Sequence, residues 1–484
     1  MLATATFTPP ANAESLADAD ITAAVEMLFL TRKGVTSHLI DVVTKDGIVE
    51  LSGSTDSLLS RQRAEDIALA VRGVRGVINE LTVNTPDLPD TAVHSAVASA
   101  LADDPATSDY NVRCYVQAGT VRLVGTVQSW AEKQLVLRVV EGVRGVHEIN
   151  ADRLVSRGAE VLNSDEDITI QIRELLDWDI RVNSALVQVR TAQQVVHLSG
   201  TVGSAAEKAR IIATAYQAGA EHVDARDLFV AAWALGPELR RDKFAPKADT
   251  DIAQAVRDAL RLDPRVQAFA PLVQVHDGTV TLAGSVSNLR ARQVAEQDAR
   301  LVVGVCDVHN LLKVRAERTS PDADIQATIV DALARDPYLG HYSFVVNVQH
   351  GKATLYGQVG SHFEQAQAGD IAAGVNEVVE VENRLSLPGQ PNPTEMLPLE
   401  NAAPGAPSGV LSDHTLAENI RRRCYWSATL HAQEIEIQAE KGRVTLLGTV
   451  HTWLDRRQAA QEAYEAGARD VNNHLRVTSA AYVG

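Results

Sequence analysis

The sequence is poor in aromatic residues and in cysteine. Aromatic side chains make up 4% of its 484 residues, so the hydrophobic cores must consist mainly of Val, Leu, Ile and Ala. The three cysteines, Cys114, Cys306 and Cys424, stand far apart, and none belongs to a Cys-x-x-Cys pair. This spacing excludes a disulfide framework, argues against a zinc site and suits a reducing compartment.

Long apolar runs are missing as well. None approaches the roughly 20 residues that a membrane-spanning helix needs, so we predict no transmembrane segment. The first residues, MLATATFTPP, contain no basic stretch followed by an apolar one, and no secretory signal is visible. Together with the unpaired cysteines, this predicts a cytoplasmic location rather than a periplasmic one.

Positive charge is also scarce. The chain has 45 basic and 62 acidic residues, which gives a net charge of −17. Proteins that bind nucleic acids, or that dock electrostatically on anionic lipid, need clustered Lys and Arg. We therefore predict no nucleic-acid partner for the chain as a whole, and any lipid contact would need a local basic patch.

The sequence lacks recognisable catalytic motifs. It shows no Ser/His/Asp order, no phosphate-binding loop and no paired-carboxylate signature. The glycine-rich segments Gly73-Val-Arg-Gly76 and Gly142-Val-Arg-Gly145 each follow a predicted helix rather than a strand, which is typical of helix stops. We predict no catalytic residue, no cofactor and no metal site, and hence a protein that is not an enzyme.

What the sequence does contain is a run of alternating residues closed by glycine, which occurs six times. Gly278-Thr-Val-Thr-Leu-Ala-Gly284 shows the pattern most clearly. The closing glycines are Gly53, Gly125, Gly200, Gly284, Gly357 and Gly448. Their intervals of 72 to 91 residues are long enough for each copy to be a small domain with its own core.

Each unit combines helical and strand patterns in the same order. A helix comes first, as in Ile252, Val256 and Leu260. Two strands follow around a turn such as Asp277-Gly278, which is a strong hairpin signal. A second helix and a last strand form a β-α-β crossover, whose two strands should be parallel. The sequence thus predicts an α+β fold of six α-β-β-α-β units, each a three-stranded mixed sheet with two helices on one face.

The first helix opens with Asp-x-Asp-Ile in four units, for example at Asp249 and Asp251. An aspartate at the N-cap accepts hydrogen bonds from free N–H groups and complements the helix dipole. A calcium site is the alternative, but no glycine-containing acidic loop with a distal Glu follows. We interpret these aspartates as caps.

The order of these motifs resembles the BON (bacterial OsmY and nodulation) domain family. The resemblance lies in Gly-x-Val-x-Leu-x-Gly-x-Val, a charged helix, and then Gly-Val-x-x-Val-x-Asn-x-Leu. Unit 4 matches best, with Gly304-Val305, Val308, Asn310 and Leu312, whereas units 3 and 6 depart with Gly219-Ala220 and Gly467-Ala468. The resemblance implies a binding module associated with osmotic stress, envelope integrity and phospholipid contact, without a shared catalytic residue.

The repeats define the predicted domain boundaries. BON-like units are expected at residues 15–84, 88–156, 164–232, 247–316, 320–387 and 411–480, with a Pro- and Gly-rich linker at 388–410. Local similarities pair unit 1 with 4, 2 with 5 and 3 with 6; Arg61-Gln62, for example, recurs as Arg292-Gln293. We interpret this as duplication of a three-unit block, which predicts that the second half repeats contacts of the first.

Two groups of residues are candidates for contact with a partner. Trp130 and Trp453 open their second helices, either as staples of a small core or as exposed aromatics at an interface or membrane. The densest basic and aromatic run, from Arg421 to Trp426, either complements a helix dipole or contacts anionic lipid or nucleic acid. The candidate lipid or partner contacts are Trp130, Trp453, Arg421, Arg422, Arg423 and Trp426.

These observations predict a non-enzymatic, stress-associated scaffold that contacts a phospholipid surface or a protein partner. One alternative is a self-assembling structural protein, a homo-oligomer, because small units with open strand edges invite association. Another is a small-ligand or ion sensor, for which the sequence offers no specific residue.

Overall fold

The computed structural model describes residues 16–85, 88–157, 164–236, 239, 243–315, 320–387 and 412–477. Within these ranges the chain forms twelve α-helices and six separate β-sheets. The predicted α+β fold of six repeated units is therefore confirmed. The predicted linker at 388–410 lies outside the described residues.

The first three units have the following elements. Unit 1 contains α1 (Asp18–Thr31), β1 (Ile40–Lys45), β2 (Ile48–Thr55), α2 (Leu58–Leu69), β3 (Gly76–Asn79) and β4 (Thr82–Val83). Unit 2 contains α3 (Asp90–Asp103), β5 (Asn111–Gln117), β6 (Thr120–Val127), α4 (Trp130–Glu141) and β7 (Glu148–Ser156). Unit 3 contains α5 (Asp165–Trp178), β8 (Val187–Ala192), β9 (Val195–Val202), α6 (Ala205–Gln217) and β10 (His222–Val230).

The second half of the chain repeats this order. Unit 4 contains α7 (Asp249–Leu262), β11 (Leu272–His276), β12 (Thr279–Val286), α8 (Leu289–Arg300) and β13 (Asp307–Val314). Unit 5 contains α9 (Asp322–Arg335), β14 (Val345–Gln349), β15 (Lys352–Gln358), α10 (His362–Gly374) and β16 (Glu380–Ser386). Unit 6 contains α11 (Asp413–Trp426), β17 (Glu434–Glu440), β18 (Arg443–Val450), α12 (Trp453–Glu465), β19 (Asp470–Asn473) and β20 (Arg476–Val477).

The glycine-closed strand is the middle strand of every sheet. In unit 4, Leu282 pairs with Val273 of the antiparallel neighbour and with Asn310 of the parallel one. The side chain of Leu282 is fully buried against residues of both helices, which include Val256 and Ala295. The mixed sheet with both helices on one face follows from this alternation, because every second residue of the strand points to the same core.

The hairpin turn of each unit is tied to the start of its first helix. Asp277 and Gly278 both have positive φ, as a type I′ turn requires. Their backbone N–H groups donate to the carboxylate of Asp249, at 2.8 and 3.0 Å. The other units use Asp18, Asp90, Asp165, Asp322 and Asp413 in the same way.

The prediction that these aspartates are N-caps was therefore wrong in one respect. Asp249 is the first residue of α7, and the N-cap is Ala248, which makes no side-chain capping bond. The carboxylate bonds the hairpin turn rather than the free N–H groups of its own helix. The motif fixes a tertiary contact, and its negative charge still lies in the first helical turn, where it is favourable.

The closing glycine permits close approach of two strands. A Cβ atom at Gly200 would lie 1.9 Å from the carbonyl oxygen of Leu186, and one at Gly448 would lie 2.0 Å from that of Glu434. No side chain can be placed at such distances. Both residues also have a positive φ, which glycine adopts without strain.

Units 1, 2 and 3 contact one another in a closed cycle. The first residue of each second helix makes the contact. Leu58 packs against the core of unit 2, Trp130 stacks on Tyr216 of unit 3 with ring centroids 5.8 Å apart, and Ala205 packs in the core of unit 1. Each unit thus inserts one side chain into the next, and the third unit returns to the first.

Units 4, 5 and 6 form a second cycle with the equivalent residues. The backbone N–H of Leu289 donates to the Val378 carbonyl of unit 5 at 3.1 Å. His362 lies against Tyr464 of unit 6, with ring centroids 5.1 Å apart. Trp453 returns to unit 4. The repetition agrees with the contacts that duplication of a three-unit block predicts.

The two cycles are joined by three pairs of units: 1 with 6, 2 with 5 and 3 with 4. In each pair, the loop after a second helix meets the end of a first helix. Units 1 and 6 are joined by the backbone hydrogen bonds from Arg72 N–H to Trp426 O and from Ala428 N–H to Ala70 O. Units 2 and 5 are joined by the bond from Arg144 N–H to Arg335 O. Units 3 and 4 are joined by the bonds from Ile180 N–H to Leu301 O and from Val303 N–H to Trp178 O. Each unit is therefore joined by backbone hydrogen bonds to one unit of the other cycle. Side chains add further contacts between the cycles, such as Tyr338 of unit 5 with Gly34 of unit 1 and Gln267 of unit 4 with Glu132 of unit 2.

Candidate functional site

The two tryptophans predicted as candidate contacts lie between units. Trp130 stacks on Tyr216, as described above, and is half-buried. Trp453 donates from Nε1 to the carbonyl oxygen of Cys306, and the guanidinium groups of Arg300 and Arg456 lie over its ring. Neither residue staples the core of its own unit. Both belong to contacts within the chain.

The basic run at the end of α11 divides into a buried and an exposed part. Arg423 is 3% exposed. It donates to Glu462 at 2.8 Å, to Glu465 at 2.7 Å and to Thr31 of unit 1 at 2.6 Å. Arg32 of unit 1 also pairs with both glutamates. Arg423, which was predicted as a lipid or partner contact, is thus buried in this structure and helps to join units 1 and 6.

Trp426 also takes part in the pairing of units 1 and 6. Its side chain packs against the core of unit 1, and its carbonyl oxygen accepts the bond from Arg72. Arg421 and Arg422, by contrast, are exposed. Arg422 has only a surface ion pair with Glu418 at 3.7 Å, which contributes little to stability. A contact role for Arg421 and Arg422 stays a prediction.

The sheet faces opposite the helices carry exposed apolar side chains. In unit 4, Leu272 and Leu311 are each 60% exposed. They lie on either side of Ala283 in the same cross-strand row. Val345 of unit 5 and Phe229 of unit 3 are similarly exposed on their strands. These faces are accessible because the main contacts between elements of different units are helix against helix.

A cavity of about 1090 Å³ lies where units 2, 3, 4 and 6 meet. Both helices of units 3 and 4 line it, and α4 and α12 contribute the remaining residues. Trp130, Trp178 and Trp453 all border it. The contacts that join the units therefore also shape a cavity that no single unit contains.

Rigid ion pairs form part of the cavity wall. Asp179 accepts two hydrogen bonds from the Arg181 guanidinium, at 2.8 and 2.7 Å, and one from Arg210 at 2.9 Å. Burial alone would raise the pKa of Asp179, but these guanidinium groups hold it well below its usual range. Asp263 and Arg265 repeat the pairing in unit 4, at 2.9 and 2.5 Å.

Asp298 lies beside these pairs without such a partner. Its Oδ2 atom is shielded from solvent and has no hydrogen-bond partner. Burial, followed by the negative charge of Asp263, raises the pKa of Asp298 to about 7, against the attraction of Arg265. The Asp-x-Arg spacing at 179–181 and 263–265 was a sequence signal for the ion pairs. The position of Asp298 depends on how the units pack, so no local sequence signal indicates it.

Among the described residues, one acidic group has the spacing of a metal site: Asp249, His276 and Asp277. Asp249 already accepts two backbone hydrogen bonds from the hairpin turn, and the imidazole of His276 is largely exposed. The geometry is explained by the turn, and we assign no metal to it. Within the same ranges, no helix is long and apolar enough to cross a membrane.

Comparison with known proteins places the repeat in a family. The model of the BON domain matches residues 17–85, 89–157, 164–228, 248–316, 321–389 and 412–479. Osmotically-inducible protein Y of Escherichia coli (strain K12) is 29% identical over 142 residues, covering 28% of this chain and 71% of that protein. An uncharacterized protein from the gshII 5′ region of Anaplasma centrale is 27% identical over 126 residues, covering 25% of this chain and 83% of that protein.

Solved structures show only a distant likeness. CdsD, a structural protein of the type III secretion system of Chlamydia trachomatis, matches at 14% identity with a TM-score of 0.13, covering 46% of this chain and 92% of that one. The structure of its C-terminal domain gives the same identity and score, covering 47% of this chain and 100% of that one. Scores at this level support no inference about function.

Proposed function

The chain belongs to the BON domain family, and on this premise we propose that it is a non-enzymatic scaffold of the osmotic stress response that binds partners through its outward sheet faces. The stress association is supported by its similarity to the osmotically inducible protein. The family resemblance supports a binding role, since it brings no shared catalytic residue.

The observation that carries the proposal is the orientation of the units. Helices pack on helices between units, so the sheet faces remain available. Leu272 and Leu311 lie in one row on such a face, 60% exposed, where apolar side chains do not contribute to a core. Adjacent exposed aliphatic side chains on a sheet form an apolar patch that a protein partner can bury on binding.

Charge favours a protein partner over an anionic membrane. The net charge of −17 repels anionic lipid at long range. The exposed row of Leu272 and Leu311 in unit 4 is apolar. We therefore place protein binding first.

Site-specific photo-crosslinking tests this proposal. A benzoyl-phenylalanine at Leu272 or Leu311 should give discrete adducts in living cells after a rise in external osmolarity. The matched control is Glu436, which is exposed at the equivalent position of β17 in unit 6, opposite Leu447, and places a charge where unit 4 has Leu272. The variant Leu311→Glu should abolish the adducts formed from the crosslinker at position 272, because the two residues share one cross-strand row. An identical adduct pattern at Glu436, or no adduct at Leu272 and Leu311, would contradict the proposal.

Phospholipid contact is a second candidate, favoured by the exposed side of α11. Arg421 and Arg422 are exposed there, and Tyr425 is 48% exposed with the guanidinium of Arg72 over its ring. Vesicles of equal parts phosphatidylglycerol and phosphatidylcholine should sediment the protein at low salt but not at high salt. The variant Arg421→Glu/Arg422→Glu should stay in the supernatant. Equal sedimentation of both proteins would exclude this surface.

We also propose a cytoplasmic location, supported by the three free cysteines, which form no pair in the described chain. Cell fractionation after a gentle osmotic shock tests it. Recovery of the protein with periplasmic markers would contradict this location.

A further inference from the structure

The cavity between units 2, 3, 4 and 6 has a built-in approximate symmetry. Asp263 and Arg265 of unit 4 occupy the positions that Asp179 and Arg181 occupy in unit 3, and both pairs line the cavity. Trp130 and Trp453 occupy the same position in units 2 and 6, at the start of their second helices. The cavity is thus bordered by two matched halves, each with one ion pair and one indole ring.

One residue departs from this match. Asp298 stands where unit 3 has Thr214, whose hydroxyl is satisfied by the carbonyl of Arg210 at 3.0 Å. Asp298 lines the cavity and has a solvent-shielded oxygen with no partner. A buried acceptor without a donor is costly in free energy. A ligand that brings a hydroxyl or amino donor to Asp298 would remove this cost.

The charge of the lining limits what the ligand can be. Seven arginines and seven carboxylates line the cavity, so neither sign dominates. The arginines nearest to Asp298 are already bound by Asp179 and Asp263. Asp298 would repel a strongly anionic ligand. The three guanidinium groups held by Asp179 and Asp263 would repel a strongly cationic one. A neutral ligand avoids both repulsions.

The remaining lining residues include several side chains that can form hydrogen bonds with a neutral ligand. Five glutamines line the cavity, and an amide side chain both donates and accepts. Three tryptophans also border the cavity. The volume of about 1090 Å³ slightly exceeds the range of about 300 to 1,000 Å³ that is usual for ligand sites.

We propose that this cavity binds a neutral polyhydroxylated ligand, of the size of a di- or trisaccharide, with one hydroxyl donating to Asp298. Hydroxyl groups act as both donors and acceptors, which matches the mixed carboxylate, guanidinium and amide lining. The binding site would exist only in the assembled chain, because its walls come from four units.

Calorimetric titration of the full-length protein with maltotriose, cellotriose, sucrose and raffinose tests this proposal. At least one of them should bind with a dissociation constant of about 1 mM or lower, and should change the fluorescence of the cavity tryptophans. Spermidine and inorganic pyrophosphate serve as cationic and anionic comparisons and should bind at least about tenfold more weakly. If all four saccharides fail to bind, or if a charged probe binds more tightly, the proposal is wrong.

The variant Asp298→Thr isolates the residue that defines the site. It restores the side chain of the matched position in unit 3, so the fold should persist. We expect the affinity for the bound saccharide to fall about tenfold or more, because its hydrogen bond to the shielded carboxyl group is lost. Gln293→Ala is the matched control, since Gln293 lies on α8 but not on the cavity. Equal affinities of the wild type and Asp298→Thr would overturn the assignment.

Discussion

Nε1 of Trp453 donates a hydrogen bond of 2.7 Å to the carbonyl oxygen of Cys306, which lies 147 residues earlier in the chain. This bond closes the second cycle by returning unit 6 to unit 4. The guanidinium groups of Arg300 and Arg456 lie 5.1 and 5.0 Å from the ring, so the contact combines a hydrogen bond with attraction between cations and the indole.

Substitution of Trp453 should separate these contributions. We expect Trp453→Phe to lower the free energy of unfolding by about 1 kcal/mol, because only the N–H donor is lost. Trp453→Ala should lower it by about 3 kcal/mol, because the ring contacts are lost too. Urea unfolding followed by circular dichroism measures both, with Tyr115→Phe on an exposed sheet face as control. If both variants are as stable as the wild type, Trp453 does not stabilise the cycle of units 4, 5 and 6.

Removal of Arg423 should destabilise the pairing of units 1 and 6. Glu462 would be left buried with one fewer guanidinium partner, and loss of one partner from a buried ion cluster costs about 3 kcal/mol or more. Arg422→Ala, one residue away but exposed, should change stability by less than about 0.5 kcal/mol. Thermal unfolding of Arg423→Ala and Arg422→Ala compares them directly. Similar melting temperatures would argue against a structural role for Arg423.

Asp298 should make stability depend on pH. Its pKa is raised from 3.8 to about 7 in the folded protein, so the folded state holds a proton that the unfolded chain has already released. The stability that Asp298 contributes is then fully present below about pH 4 and is lost as the pH rises through 7. We expect Asp298→Asn to match the wild type at pH 4 and to exceed it at pH 8, by on the order of 3 kcal/mol.

Denaturant unfolding at several pH values checks this prediction. Asp258→Asn, a change at a more exposed carboxylate on the cavity rim, is the control and should not alter the pH profile. A stability difference between Asp298→Asn and the wild type that stays constant from pH 4 to 8 would contradict the prediction.

Asp322, which bonds the hairpin turn of unit 5, should have the opposite effect on the pH dependence of stability. The backbone N–H groups of His350 and Gly351 bond the Asp322 carboxylate and lower its pKa. The stability that this contact provides is present above the ordinary pKa of 3.8 and is lost as the pH falls through the lowered value. We expect Asp322→Asn to speed hydrogen exchange at the Gly351 amide at pH 7, with a smaller effect near pH 3.

The control is in the same helical turn. Asp324, the second acid of the motif, is exposed and faces away from the hairpin bonds. Asp324→Asn should leave exchange at Gly351 unchanged. If both variants speed exchange equally, the effect reflects charge near the helix terminus rather than the hydrogen bonds to the turn.

The structure of a single unit could be predicted well because its signals are local. The alternation around Leu282 specifies the core face of its strand, and Asp277-Gly278 specifies the turn. The role of Asp249 was harder to predict, since an acid in the first helical turn looks the same in sequence whether it caps the helix or bonds a turn 28 residues later.

Contacts between units could not be predicted in the same way. The positions of Trp130 and Trp453 in their helices were visible, but the residue that each one meets belongs to another unit. Arg423 illustrates the same difficulty. A basic run at a helix end is usually solvated, and only the packing of unit 6 on unit 1 buries this one. The cavity around Asp298 depends on four units and has no local signature.

The two cycles have a consequence for how such a protein could arise. Each cycle is one uninterrupted half of the polypeptide, and the three pairings all run from one half to the other. A gene product with only units 1 to 3 would leave two pairing loops and one helix end without their partners, and a second copy of the same product offers equivalent surfaces. The full-length chain therefore has the contact pattern expected of a dimer of three-unit blocks joined in one polypeptide, which fixes the ratio of the two halves at one to one.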